Sequence, residues 1–146
     1  MRELPRQLTA DELAGLFEGR TALVERLAET ENPLSHADKV IRTLTDDEKL
    51  EALAAHPAIG QREGLSARSA AEQGSDDDPA VLAELAELNR LYEERFGFRF
   101  VVFVNRRSKV EVVPVLRQRL ERTRDEELDT ALAELVAIAR DRWLRG

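Results

Sequence analysis

The sequence predicts an all-α fold: a compact, single-domain helical bundle over residues 1–146, with one buried extended segment near 98–104. Three observations predict it. A Ser or Thr followed three residues later by Glu recurs at Thr9–Glu12, Thr45–Glu48 and Ser108–Glu111. Each marks a helix start, because hydroxyl and carboxylate satisfy backbone N–H groups that the first turn leaves without partners. Apolar residues after these starts recur at three- and four-residue spacing, the period of a helix with one face in a core. Only Phe100–Val104 departs from that period, as a β-branched and aromatic run that reads as extended and buried.

Taken in order, Leu13, Leu16 and Phe17 follow the first cap, and Gly19 is expected to end that helix. A second short helix carries Leu23, Val24 and Leu27. Asn32-Pro33 marks a turn. Ser35-His36-Ala37-Asp38 reads as another cap, before a helix with Val40, Ile41 and Leu44 inward and His36 at the surface. Leu50, Leu53 and Ala54 line the helix begun at Thr45, which carries His56 at its C-terminal end. Pro57 sets that end, since it disfavours the α conformation before it and has no N–H to donate.

Ser66 is expected to cap a short helix bearing Ser69, Glu72 and Gln73 on one face, with Gly74 ending it and an acidic linker following. Asp78-Pro79, a cap and then proline at the first helical position, starts a helix to about Arg95. Its stripe is Val81, Leu82, Leu85, Leu88, Asn89 and Tyr92. The extended run that follows finds no partner strand in the sequence, so its peptide groups need other partners. Amides turned toward a ligand are one solution. Pro114 is expected to kink the next helix or delay its start. Asp125 is expected to cap the last helix, whose stripe Leu128, Leu132, Leu135, Ile138 and Ala139 is continued by Arg142.

Composition narrows the function. A net charge of −7 argues against nucleic acid as the partner, because phosphate binding needs a basic face. With no cysteine and two histidines, there is no disulfide or thiolate nucleophile, and no transition-metal site is expected. No apolar run approaches the roughly 18 residues of a membrane span, and the N-terminus lacks a signal peptide's apolar core. A cytoplasmic protein with neither membrane nor nucleic-acid partner is the expectation.

Three side chains are candidates for chemistry. His56 is either a helix-terminal histidine favoured by the dipole or a proton-transfer group, for which imidazole suits neutral pH. Glu72 is either a solvated helix carboxylate or, with Ser69 and Gln73 on its face, part of a polar pocket. Arg142 belongs either to an ordinary basic last turn or to a pocket, where its planar guanidinium matches a carboxylate. Arg106, Arg107 and Lys109 read as a solvated turn, and Phe100–Val104 as core more readily than as a binding wall.

Four pieces in order, His56-Pro57-Ala58-Ile59-Gly60, Ser69-Ala70-Ala71-Glu72-Gln73-Gly74, Phe96 to Lys109 and Glu127 to Arg142, carry a resemblance. The chain is similar to the 2-oxo-4-hydroxy-4-carboxy-5-ureidoimidazoline (OHCU) decarboxylases, enzymes of urate breakdown. The resemblance implies cofactor-free decarboxylation of OHCU to (S)-allantoin, with His56 as proton donor and Glu72 and Arg142 as the other catalytic residues. It implies substrate contacts from Pro57, Ser69, Ala70, Ala71, Glu72 and Gln73, and from the backbone of Phe100, Val101, Val102, Phe103 and Val104. It also implies a homodimer and no metal. Pro114 and the polar stretch Arg140-Asp141-Arg142-Trp143 depart from the family pattern, and the end Leu144-Arg145-Gly146 lacks a peroxisomal tripeptide. The alternative is a non-catalytic helical module binding a purine-pathway ligand or partner. His56, Glu72 and Arg142 together favour the enzyme, since a binder has no need of a proton donor.

Overall fold

A computed structural model describes residues 3–59 and 78–146. Among them are seven helices and no strand: α1 (Ala10–Phe17), α2 (Ala22–Ala28), α3 (Ala37–Arg42), α4 (Asp46–Ala54), α5 (Pro79–Phe96), α6 (Lys109–Arg119) and α7 (Arg124–Arg145). They group into two compact units, Met1–His56 with Leu132–Gly146, and Pro57–Ala131, so α7 contributes to both. The expected helix over Ser69–Gln73 lies outside the described residues.

In the first unit, α1 and α4 begin at the expected capping boxes. Thr9 Oγ1 accepts from the Glu12 N–H at 3.1 Å, and Glu12 accepts from the Thr9 N–H at 3.0 Å. The same exchange at Thr45 and Glu48 spans 3.2 and 2.9 Å. The start of α2 is tied to α4 by the Ala22 N–H, which donates to Glu51 Oε1 at 2.8 Å. Leu23, Val24 and Leu27 of α2 are wholly buried, and α2 packs against α1, α3 and α4. Leu13, Leu16, Phe17, Leu53, Leu135 and Ile138 are buried in the same unit. Each such side chain contributes about 1.5–3 kcal/mol of transfer free energy.

Local details differ from expectation. The residue that ends α1 is Glu18, not Gly19, and it takes the left-handed conformation at φ 66°. That conformation costs a non-glycine roughly 1–2 kcal/mol, and the Glu18 carboxylate pairs with Arg142 at 3.0 Å. Gly19 has another use: a Cβ there would stand 3.3 Å from the Ala55 Cβ, so a bare Cα lets the two segments approach. α3 starts at His36 without a side-chain cap, because the half-buried ring lies against the Glu31 carbonyl, Nδ1 to oxygen 3.1 Å. Val40 and Ile41 are half-buried, and in α4 Ala52 and Leu53 face inward while Ala54 is exposed.

In the second unit, Asp78 Oδ1 accepts from the Ala80 N–H at 2.9 Å and Pro79 opens α5. Gly97, at φ 80°, ends it in a conformation that glycine adopts without a Cβ penalty. The face of Leu85, Leu88, Asn89 and Tyr92 is buried, and α5 packs against α6. Residues 98–104 are neither helix nor strand, and Phe98, Phe100, Val101, Val102 and Val104 are buried. Tyr92 gathers three rings around it, with centroids 4.7 Å away for Phe96, 5.9 Å for Phe98 and 5.2 Å for Phe100.

Pro114 lies inside α6 without delaying its start at the Ser108–Glu111 box. The carbonyl that loses its helical donor to proline is four residues back, at Val110, which is 53% exposed and open to water. α7 is capped by Thr123 rather than Asp125. Thr123 Oγ1 accepts from the Glu126 N–H at 3.2 Å, and Glu126 accepts from the Thr123 N–H at 3.1 Å.

Candidate functional site

His56 and Arg142 belong to the same compact unit. α4 stops at Ala54, and the His56 N–H still reaches the Leu53 carbonyl at 3.2 Å, as expected of a last turn halted by Pro57. The histidine is buried, 8% exposed. Arg142 is more deeply buried, at 3%; Nη1 donates to the Leu16 carbonyl at 3.0 Å and Nη2 pairs with Glu18 Oε1 at 3.0 Å. The ion pair and the Gly19–Ala55 approach lie on consecutive residues, Glu18 and Gly19, and Ala55 immediately precedes His56. The end of α1 is thus braced on Arg142 on one side and on the turn before His56 on the other.

Pro57 and the segment 100–104 belong to the other unit. Pro57 and Ala58 are half-buried, and the Ile59 carbonyl after them accepts from Asn89 Nδ2 at 3.0 Å. Asn89 on the α5 stripe therefore anchors the chain beyond Pro57. Ser69, Ala70, Ala71, Glu72 and Gln73 lie outside the described residues.

No backbone–backbone hydrogen bond joins residues 98–103 to another described residue. Arginine side chains reach the carbonyls of Val101, Phe103 and Val104, the last of which also accepts from the Arg107 N–H at 3.0 Å. Arg119 Nη1 donates to the Val101 oxygen at 2.6 Å. Arg107 donates from Nη2 to Phe103 at 2.7 Å and from Nε to Val104 at 3.0 Å. Arg107 is half-buried and Lys109 only 5% exposed, so neither belongs to the solvated turn expected of them; exposed Arg106 does.

Arg119 is the residue that reading the sequence missed. It is 5% exposed, its Nε pairs with wholly buried Glu127 at 2.7 Å, and its Cζ lies 4.5 Å from the Phe100 ring centroid. Glu127 also accepts from the Tyr92 hydroxyl at 2.6 Å and from Arg122 at 2.8 Å. Burial, and then the hydrogen bond to Glu127, hold the Tyr92 hydroxyl above the usual phenol range, so the ring stays neutral. The available signal was a stripe Val112, Val113, Leu116, Arg119 that ends in a charge, followed by a buried carboxylate beside Leu128.

Among the described residues no group of His, Asp and Glu is placed to hold a metal ion, and no helix is long and apolar enough to cross a membrane.

The sequence matches the protein-family model described as OHCU decarboxylase over residues 2–144. It is 29% identical over 140 residues to the 2-oxo-4-hydroxy-4-carboxy-5-ureidoimidazoline decarboxylase of Haloferax volcanii, covering 88% of this chain and 83% of that one. It is 29% identical over 153 residues to the uric acid degradation bifunctional protein PucL of Bacillus subtilis, covering 97% of this chain. The chain spans only 31% of that protein and 27% of its Bacillus sp. counterpart. The fold is similar to a crystal structure of OHCU decarboxylase in the presence of (S)-allantoin. There the TM-score is 0.73 at 25% identity, over 92% of this chain and 96% of that one.

Proposed function

The chain belongs to the OHCU decarboxylase family, and we propose that it converts OHCU to (S)-allantoin in urate degradation, without a cofactor. The observation that carries the reading beyond membership is the placement of His56. It is a buried imidazole at a helix end, held in a turn that Pro57 terminates and Gly19 closely approaches.

In the proposed reaction the bond from the ring carbon to the carboxylate breaks, and carbon dioxide leaves without the bonding pair. That pair becomes a double bond to the neighbouring ureido-bearing carbon, whose imine nitrogen takes up the displaced pair and a proton from water, so no cofactor is needed as an electron sink. His56 then gives a proton to one face of the ureido-bearing carbon, the double-bond pair becomes the new C–H bond, the hydroxyl releases its proton to water as its carbon becomes a ring carbonyl, and water reprotonates the imidazole. Delivery to one face yields one enantiomer. Glu72, with Ser69 and Gln73, orients the hydroxyl and ureido groups, and Ala70, Ala71, Pro57 and the backbone of 100–104 complete the contacts. Arg142 helps hold the substrate. A tight grip on the departing carboxylate would stabilise the ground state and slow the reaction, and the pairing of Arg142 with Glu18 is consistent with a moderated charge. A cytoplasmic homodimer completes the proposal.

The test is to supply OHCU generated from urate and follow its disappearance by absorbance. Consumption well above the spontaneous rate supports the reading. A rate equal to the spontaneous one, from folded protein, would leave the non-catalytic module.

A further inference from the structure

We propose that Arg119 is a positioning residue for substrate binding, setting the orientation of the peptide groups at 100–102; this rests on the decarboxylase reading above. A segment with no ladder has no intrinsic reason to present one edge rather than the other. Among the described residues no backbone group hydrogen-bonds to the peptide groups of 100–102. Arg119 supplies the missing constraint. Its Nη1 holds the Val101 carbonyl at 2.6 Å, while Nε is anchored on Glu127 at 2.7 Å and the guanidinium lies over Phe100, 4.5 Å from the ring centroid. One planar group therefore fixes a carbonyl and the neighbouring side chain together.

With the Val101 carbonyl committed to Arg119, the peptide groups of Phe100 and Val102 are held in one orientation, in which a ring and ureido substrate offers them complementary donors and acceptors. The anchor itself is rigid: Glu127 is wholly buried and takes hydrogen bonds from Tyr92, Arg119 and Arg122. Lysine cannot replace this fork, because a single ammonium does not span Glu127 and Val101 with the planar geometry of guanidinium.

Binding of this kind acts on substrate and transition state alike, so its loss raises KM and leaves kcat nearly unchanged. The experiment compares the wild type with Arg119→Lys and with Tyr92→Phe, at a temperature where circular dichroism shows all three folded. Tyr92→Phe removes a hydrogen bond from the same buried carboxylate but leaves the Arg119–Val101 contact intact, so it reports what general loosening of the network does. The expected result is a KM for OHCU raised about tenfold or more in Arg119→Lys, equivalent to about 1.4 kcal/mol, with kcat within twofold and Tyr92→Phe near the wild type. Amide exchange supplies a second readout: Val102 exchange slowed by (S)-allantoin in the wild type and not in Arg119→Lys. An active wild type with unchanged KM in Arg119→Lys, or equal KM increases in both variants, overturns this inference alone. A wild type without activity overturns it together with the decarboxylase reading. If Arg119→Lys fails to fold, Glu127→Asp takes its place. That variant retracts the anchor, keeps both charges and is expected to raise KM in the same way; an unchanged KM there overturns the inference.

Discussion

Arg142, in the last turns of α7, reaches across to Glu18, which ends α1, with 3.0 Å between Nη2 and Oε1. The arginine side chain is 1% exposed and the glutamate 13%, so this is a buried pair rather than a surface one. Its energetic signature is asymmetric. Removing one partner, or only its charge, strands the other charge out of water, at about 3–5 kcal/mol.

Arg142→Met is therefore expected to lower the unfolding free energy by about 3–5 kcal/mol, Glu18→Gln by nearly as much, and the double variant by less than the sum of the two. Urea unfolding followed by helical circular dichroism measures all three. Additive losses in the double variant would mean that the charge of the pair has little importance.

Gly19 touches the turn that carries His56, so size there should read out in turnover. Gly19→Ala needs Ala55 to yield only a few tenths of an ångström from the 3.3 Å contact, and is expected to be nearly silent. Gly19→Val adds two methyl groups against Ala55 and is expected to cost about 1–3 kcal/mol and to lower kcat more than it raises KM. A valine variant with wild-type kcat would show that the position of the turn is irrelevant to turnover.

The Tyr92–Glu127 contact predicts behaviour at high pH. The folded hydroxyl titrates above its ordinary range, so folding favours the protonated ring. That contribution is fully present below the unfolded value of about 10 and declines as pH rises through and beyond it. Tyr92→Phe is expected to cost about 1.5–3 kcal/mol at neutral pH and to flatten the fall in stability above about pH 10. An unchanged alkaline slope in Tyr92→Phe would contradict the assignment.

The capping boxes predict behaviour in acid. Glu48, Glu111 and Glu126 are held below the usual carboxylate range, in each case chiefly by the N–H of the capping residue. Such groups contribute stability above the unfolded value of about 4.3 and lose it as pH falls through the lower folded value. Wild-type stability should drop over that range, and the triple Gln variant should drop less steeply. A variant as steep as the wild type would place the acid sensitivity elsewhere.

The helices were legible wherever a few adjacent residues carry the whole signal. The boxes at Thr9, Thr45 and Ser108 need only two side chains and the N–H groups between them. The cap of α7 was harder because Asp125 offers a second acceptable oxygen two residues after Thr123. Glu18 could not be read as a helix end, since its left-handed backbone sits against a partner 124 positions later in the chain, Arg142. In the candidate site, the location of His56 followed from Pro57 alone. The role of Arg119 did not, because a charge at the end of an apolar stripe looks like the edge of a helix face until Glu127 and Val101 are seen beside it. Lys109 misled for the same reason: its burial is set by packing, and its sequence neighbours are polar.

The most direct test of the proposed chemistry generates OHCU in situ from urate and follows circular dichroism as allantoin forms, with wild type beside His56→Asn. The expected result is rapid appearance of optically active (S)-allantoin with the wild type, and its loss in a folded His56→Asn protein. Optically active product formed equally fast by His56→Asn would contradict the assignment of His56 as proton donor, and racemic product at the spontaneous rate from both would contradict the decarboxylase reading itself.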